Sequence, residues 1–579
     1  MYKFYRKNYY RPQFVRDNYI DLCGEWNFVF DDNDVGLKSG YHAVFPVGRK
    51  ICVPFSPETA ASGIKDERYH RVVWYSRSLS GITIAENERL ILHFEGADYL
   101  SKVWLNGVLV GTHRGGYTRF SVDVTEQVKD GENILTVRCE DDFDQSQPRG
   151  KQRWKNESYA CWYVQTTGIW KPVWAEKVNV CRLDSVKITP EVDEMCVRFD
   201  FNVTDTENVG VETNVWLKNK KIISSIITTD SKRFGVLFDL HNDLALWSPD
   251  SPALYDVEFV IRKNGIETDR VGSYFGMRSI RAENGRITLN NSPLYQKLLL
   301  SQNYWLETGL TLPDESAGIK DIEIATDAGF NGLRIHQKIE DERFLMLCDV
   351  KGLLVWGEFP ATYEFSDDAV ENFTYEWTSA VRQQYNHPCI ITWVPFNESW
   401  GVSFITNDKN QQFFTESVYA LTKTLDKTRP VISNDGYEHT RSDIITLHDY
   451  DGDSSVLVER YGKKLGNILL NKECHGGVRY AFAEGYGYSG QPIMVTEYGG
   501  IALSGSEGWG YNDKAANEEE FIARYDALTS AIQQVPDVCG YCYTQISDVY
   551  QEENGLTDAH RKPKIDLSRI KKINDRRKR

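Results

Sequence analysis

With 579 residues the chain is too long for one ordinary domain and, at roughly 150 residues apiece, suggests about three. Hydrophobic residues at 41% and charged residues at 26% can fill several cores, and a formal net charge of −16 argues against nucleic acid and anionic membrane as main partners. No stretch approaches about 18 apolar residues, and the N-terminal MYKFYRKNYYRPQF has no apolar centre, so neither a membrane-spanning helix nor a signal peptide is expected.

Residues 1–180 read as all-β. Alternating runs such as RLILHFEG (89–96), KVWLNG (102–107) and NILTVRCED (133–141) are separated by Gly, Asn and Asp turns, and Asn106-Gly107 is a two-residue hairpin signal. Residues 181–280 keep the style with new spacing (SVKITPEV, CVRFDFNV, GVETNVWLK, KIISSIIT, DVEFVIRK) and predict an immunoglobulin-like sandwich. From residue 281 to 579 apolar strand-like runs alternate with helical stripes. The runs are 294–301, 330–336, 353–358, 389–398, 430–435, 444–450, 492–497 and 538–545, and eight of them predict a (β/α)8 barrel.

Eleven cysteines form an odd, irregularly spaced set. Cys539-Gly-Tyr-Cys542 matches CxxC but lies inside a strand-like run, not at the helix start a redox pair requires, so core thiols and a reducing cytoplasm are expected. The basic stretches Arg569-Ile-Lys-Lys and Arg576-Arg-Lys-Arg579 read as a solvated tail. Aromatics at 13%, with 15 Trp and 32 Tyr, suit core packing and leave a surplus for stacking on sugar faces.

The barrel runs end in polar residues, and barrel enzymes carry their chemistry at the C-terminal ends of the strands. Gln302 ends the first run, Arg334 and His336 the second, Glu358 the third, Asn397-Glu398 the fourth, His448 and Tyr450 the sixth, and Glu497 the seventh. Asn434-Asp435 ends the fifth, where a lone acid reads as loop, and Arg334 has a second reading as a structural ion-pair partner. Two carboxylates emerging from opposite apolar runs suit glycoside hydrolysis, one as proton donor and one as nucleophile or base. Glu398 and Glu497 make the best pair, and the donor needs a pKa raised by burial and nearby negative charge.

Nearly the whole chain resembles glycoside hydrolase family 2, the β-galactosidases, β-glucuronidases and β-mannosidases. The first region resembles that family's sugar-binding jelly roll in LCGEWNFVFD (22–31), VPFSPETAASGI (53–64), VWLNGVLVGTHRGGYTRFSVDVT (103–125) and TTGIWKPVWAE (166–176). The second ends in YFGMRSI (274–280) like its immunoglobulin-like domain, and the third resembles its catalytic barrel. The resemblance implies a retaining exo-glycosidase working through a covalent glycosyl-enzyme. It implies Glu398 as acid/base, Glu497 as nucleophile, Asn397 on the sugar 2-hydroxyl, Arg334 supporting the nucleophile and Tyr450 hydrogen-bonded to it. It implies a carbohydrate substrate, no organic cofactor and no catalytic metal.

The departures bear on the sugar. His336-Gln337-Lys338 replaces the family's His-Tyr-Pro or His-Asn-Pro, and Ser301-Gln302-Asn303-Tyr304-Trp305 replaces its Gly-Asn-His type segment. Glucuronidases of the family place Asn-x-Lys before a terminal Arg-Lys-Pro-Lys, where this chain has Glu552-Glu553-Asn554-Gly555 before Arg561-Lys562-Pro563-Lys564. The extra acid should repel a uronate, while Lys338 offers a substitute cation. A neutral β-galactoside is therefore the default substrate. An α-L-arabinofuranoside, a β-galactofuranoside and a β-glucuronide are the alternatives, and residues 451–490 are expected to overhang the pocket. A carbohydrate-binding protein with a dead barrel and a transglycosylase are the competing classes; the presence of both glutamates in context argues against the first. The jelly roll reads as a buttress, with residues 149–163 reaching either the active site or a neighbouring subunit of a homo-oligomer.

Overall fold

A computed structural model of the chain describes residues 1–476 and 479–576. In the first region a four-stranded and a six-stranded antiparallel sheet face each other. Trp26, Phe28, Val73, Tyr75, Leu92 and Val137 are buried between them. Strands Leu100–Leu105 and Val108–Arg114 are joined by Asn106 and Gly107, both at positive φ (53° and 83°), the pairing a right-handed hairpin twist favours. In the second region a three-stranded sheet and a four-stranded sheet enclose Phe199, Phe201, Phe259 and Phe275.

The third region is the barrel. Strands Gln296–Ser301, Gly332–Ile335, Leu354–Glu358, Ile390–Val394, Ile445–Asp449, Ile493–Gly499 and Val538–Thr544 form one seven-stranded parallel sheet. Helices Glu315–Asp327, Glu342–Lys351, Asp367–Gln384, Lys409–Leu425 and Glu518–Gln533 return the chain between strands, each with an Asp, Ser or Asn side chain accepting from a first-turn amide. The run 430–435, expected as a fifth strand, differs. It touches its neighbour only through the isolated bridges Trp393↔Val431 and Asn397↔Asp435. Pro430 has no amide to donate, so its carbonyl alone joins, accepting from Trp393 N at 3.1 Å. The segment still closes the ring, with Asp435 N donating to Phe396 O and His448 N to Gly436 O.

Two other expectations change. Arg569-Ile-Lys-Lys is not a tail: it lies in helix Leu567–Asn574, whose Ile570 and Ile573 are buried on one face. Residues 577–579 of the basic end lie outside the described residues. Cys539 and Cys542 do sit within a barrel strand, and none of the eleven cysteines, all among the described residues, is in a disulfide.

Charged contacts join the regions. Buried Arg16 pairs with Glu176 of the first region (3.0 Å) and Asp269 of the second (2.8 Å). Arg119 bridges Glu95 (2.7 Å) and barrel Glu342 (2.6 Å), and Glu376 of helix Asp367–Gln384 accepts from the amides of Tyr117 and Thr118. Removing one partner of a buried ion pair leaves the other charge uncompensated. Arg16→Ala should therefore destabilise the chain by about 3–5 kcal/mol, read as a lower urea midpoint for the transition that unfolds the first two regions. A midpoint within experimental error of wild type would contradict this.

Candidate active site

One guanidinium gathers the strand ends. Arg334, on the second barrel strand and fully buried, donates from Nε to Glu358 Oε2 (2.7 Å), from Nη1 to Glu497 Oε1 (2.6 Å) and from Nη2 to Asn397 Oδ1 (2.7 Å). Nη2 also lies 2.9 Å from Asp435 Oδ2. Asn397 thereby presents its oxygen to the arginine and leaves its amide nitrogen to the pocket.

His448, at the end of strand Ile445–Asp449, is the second cation. Its Nδ1 lies 2.8 Å from Glu398 Oε1 and 3.4 Å from Glu497 Oε2, and its Nε2 3.1 Å from Asp435 Oδ2. Burial opposes its charge, but Glu497 and Asp435 outweigh burial and push the imidazole up to about 10. Gly436, at φ +105°, makes the approach feasible, because a Cβ there would come within 2.7 Å of His448 Nδ1. Tyr450 donates to Glu497 Oε2 at 2.7 Å and shares a 2.9 Å hydrogen bond with Thr544. Glu398 and Ser399 hold φ of 50° and 60°, a left-handed pair of non-glycine residues that turns the Glu398 carboxylate across to His448.

Glu398, Glu497 and His448 each offer an atom within 4.8 Å of the others, a spacing that would also admit a cation. Burial pushes both carboxyls up. For Glu398, the hydrogen bond and charge of His448, with Lys151 and Arg334 beyond, more than offset it and hold the group below its usual range. Glu497 is likewise held low, chiefly by His448. The expectation of a raised pKa at Glu398 is therefore corrected for the free protein: the imidazolium was not visible in the sequence. Glu358 does rise, to about 8, through burial and the charges of Asp435 and Glu497 against Arg334.

The remaining sites are mixed. His336 Nδ1 lies 2.9 Å from Glu358 Oε1, and burial with the fields of Lys151 and Arg334 keeps the ring neutral. Gln302 is buried with Oε1 unpartnered. Lys338 does not offer a free cation: it pairs with Glu340 at 3.0 Å and donates to Asn303 O, beneath the Trp305 ring. Asp435, read as loop, is fully buried and accepts from Arg334, His448 and Thr496. A cavity of about 450 Å³ opens beside Glu398, His448 and Tyr450. Residues Arg460, His475, Gly476 and Arg479 of the long 451–490 segment line it, and both arginines are ion-paired, with Asp449 and Glu438. Residues 149–163 also reach the barrel mouth, where Trp162 packs on Trp400 at 5.3 Å and Trp154 on Tyr363 at 4.1 Å.

Three family profiles match in succession: the glycosyl hydrolase 2 galactose-binding domain-like over 64–172, glycosyl hydrolases family 2 over 181–278, and that family's TIM barrel domain over 280–577. A protein named putative beta-glucuronidase from Formosa agariphila is 28% identical over 392 residues, 63% of this chain and 45% of that one. A beta-galactosidase from Thermoanaerobacter pseudethanolicus is 27% identical over 450 residues, 74% of this chain and 56% of that one. The chain thus spans about half the length of these two relatives. Among solved structures, Bifidobacterium dentium beta-glucuronidase complexed with coumarin-3-O-glucuronide superimposes with a TM-score of 0.82 at 19% identity, covering 98% of each chain. No helix of the described residues is long and apolar enough to cross a membrane.

His448 gives the site a pH signature. Its folded pKa of about 10 exceeds the ordinary 6.5, so its stabilisation is complete below 6.5 and is lost as pH rises through about 10. The melting temperature of the wild type should fall steadily across that window, and His448→Asn should lack the slope. Parallel profiles for the two proteins would contradict an imidazolium at this position.

Proposed function

The chain belongs to glycosyl hydrolase family 2, and within that family we propose that it is a retaining exo-glycosidase. The observation that carries this reading is the separation of Glu398 and Glu497: one oxygen of each lies within 4.8 Å of the other. Retaining enzymes hold their carboxyl groups about 5–5.5 Å apart, whereas inverting ones need about 6.5–9.5 Å to admit water.

Glu497 is the nucleophile. Ionised, aimed by Arg334 Nη1 and the Tyr450 hydroxyl, it attacks the anomeric carbon. Glu398 is the acid/base. As a carboxylate it has no proton of its own, but one lies a hydrogen bond away on His448 Nδ1. Transfer along that bond gives a neutral acid and a neutral imidazole, and the acid protonates the leaving oxygen. Once Glu497 becomes an ester its charge is gone, which favours Glu398 as a carboxylate, the form that deprotonates water in the second step. Asn397 Nδ2 is free to donate to the sugar 2-hydroxyl, and neutral His336 and Glu358 border the same ring.

The sugar is decided by the pole of the pocket away from this pair. A neutral β-galactoside, a furanoside and a β-glucuronide all satisfy the carboxylate geometry.

The test is covalent. A 2-deoxy-2-fluoro glycosyl fluoride should add its glycosyl mass to the peptide carrying Glu497, and Glu497→Gln should turn over nothing while remaining folded. Glu398→Ala should lose about 10²–10⁴-fold on poor leaving groups yet still form the intermediate from dinitrophenyl glycosides. Product of inverted configuration, or full activity in Glu497→Gln, would refute the assignment.

A further inference from the structure

Lys338, just after the second barrel strand, is not a free cation. Lys338 is held by Glu340, and the segment after the last strand carries Glu552 and Asn554. The loop 149–163 of the first sandwich brings one in. On one side of the barrel mouth the amides of Arg149 and Gly150 donate to Ala361 O at 2.9 and 3.0 Å. Gly150, at φ +60°, packs so closely on the Gln337 carbonyl that a Cβ would come within 2.5 Å, so glycine alone lets the loop in this far. On the opposite side Trp509 Nε1 and Gln551 Nε2 donate to Ala160 O, and the Tyr163 hydroxyl to Glu552 Oε2 at 2.5 Å. Lys151 lies between these anchors, its carbonyl accepting from Tyr163 N at 2.8 Å.

Lys151 is 9% exposed. Its ammonium contacts the Cys161 thiol and stands in the field of Glu552, Glu497 and Glu398. Among the described residues no carboxylate pairs with it at ion-pair distance, in contrast to Arg460 and Arg479 in the same mouth. Against burial, Cys161 first and then those carboxylates hold the ammonium's pKa above its ordinary value. A charge withdrawn from water without a direct partner is a standing cost, which a ligand anion removes and a sugar hydroxyl removes only in part.

We propose that Lys151, supplied by the first sandwich, is the specificity residue for an anionic substituent on the glycone. This rests on the retaining-glycosidase reading above. The anion is a uronate carboxylate or a sulfate ester, and the substrates tested separate the two.

The experiment compares kcat/KM of the whole protein on 4-nitrophenyl β-glucuronide, β-galacturonide and 6-sulfo-β-galactoside with the neutral β-glucoside and β-galactoside. One acidic member should exceed its neutral counterpart and so name the anion. In Lys151→Met that acid-to-neutral ratio should fall by about 10- to 100-fold, mainly through KM, and Lys151→Arg should restore most of it. Because the ratio is internal to each variant, a partial folding defect does not mimic the effect. A wild type that prefers the neutral members, or a ratio unchanged in Lys151→Met, overturns the proposal while leaving the glycosidase intact. Silence on every substrate together with no fluorosugar adduct on Glu497 overturns both.

Discussion

The active end of the barrel is organised by a single buried guanidinium. Arg334 binds Glu358, Asn397, Asp435 and Glu497, which come from the third, fourth, fifth and seventh segments of the ring. Only arginine can do this, since its planar fork carries five donors in fixed directions while lysine offers three on one point charge. Three carboxylates around one cation still leave excess negative charge in a site with little water. The structure relieves it in two ways: Glu358 shifts toward its protonated form, and His448 becomes a second cation. Everything else in the site follows from that electrostatic problem.

His448 resolves it at a chemical cost. The imidazolium that satisfies Asp435 and Glu497 also depresses Glu398, which in the proposed retaining reaction has to act as an acid in the first half. The 2.8 Å contact makes the two groups one proton-sharing unit, so a proton held on the imidazole is within reach of the Glu398 carboxylate. The unit holds a proton below pH of about 10 and can place it on either atom. The glycine at 436 and the left-handed backbone at 398 and 399 are the local price of bringing these groups together.

What the sequence makes legible is what is local. Seven of the eight apolar runs are ladder strands because runs such as ITWV and IMVT carry their own pattern, and the helices announce themselves by period and cap. The fifth run fails because Pro430 and a buried Asn-Asp end replace ladder pairing with side-chain bonds. Asp435 looks like loop until Arg334, about a hundred positions earlier, is seen beside it. Lys338 has its partner Glu340 two positions along the chain, whereas the placement of Lys151 at the barrel mouth depends on contacts between domains and is tertiary information.

On the proposal for Lys151, the first sandwich does more than buttress the barrel. Its interface with the barrel is built from buried, directional contacts: Arg119 on Glu342, Glu376 on the amides of Tyr117 and Thr118, and Lys171 on the Ile339 carbonyl. Apolar faces tolerate sliding, whereas a buried charge loses several kcal/mol when its partner moves away. Such an interface fixes orientation as well as proximity. That precision is what a loop needs if it is to hold Lys151 and Trp162 against side chains of another fold. Because a separate sandwich supplies this loop at the barrel mouth, substitutions in it can alter the mouth while Arg334, Glu398 and Glu497 remain in place.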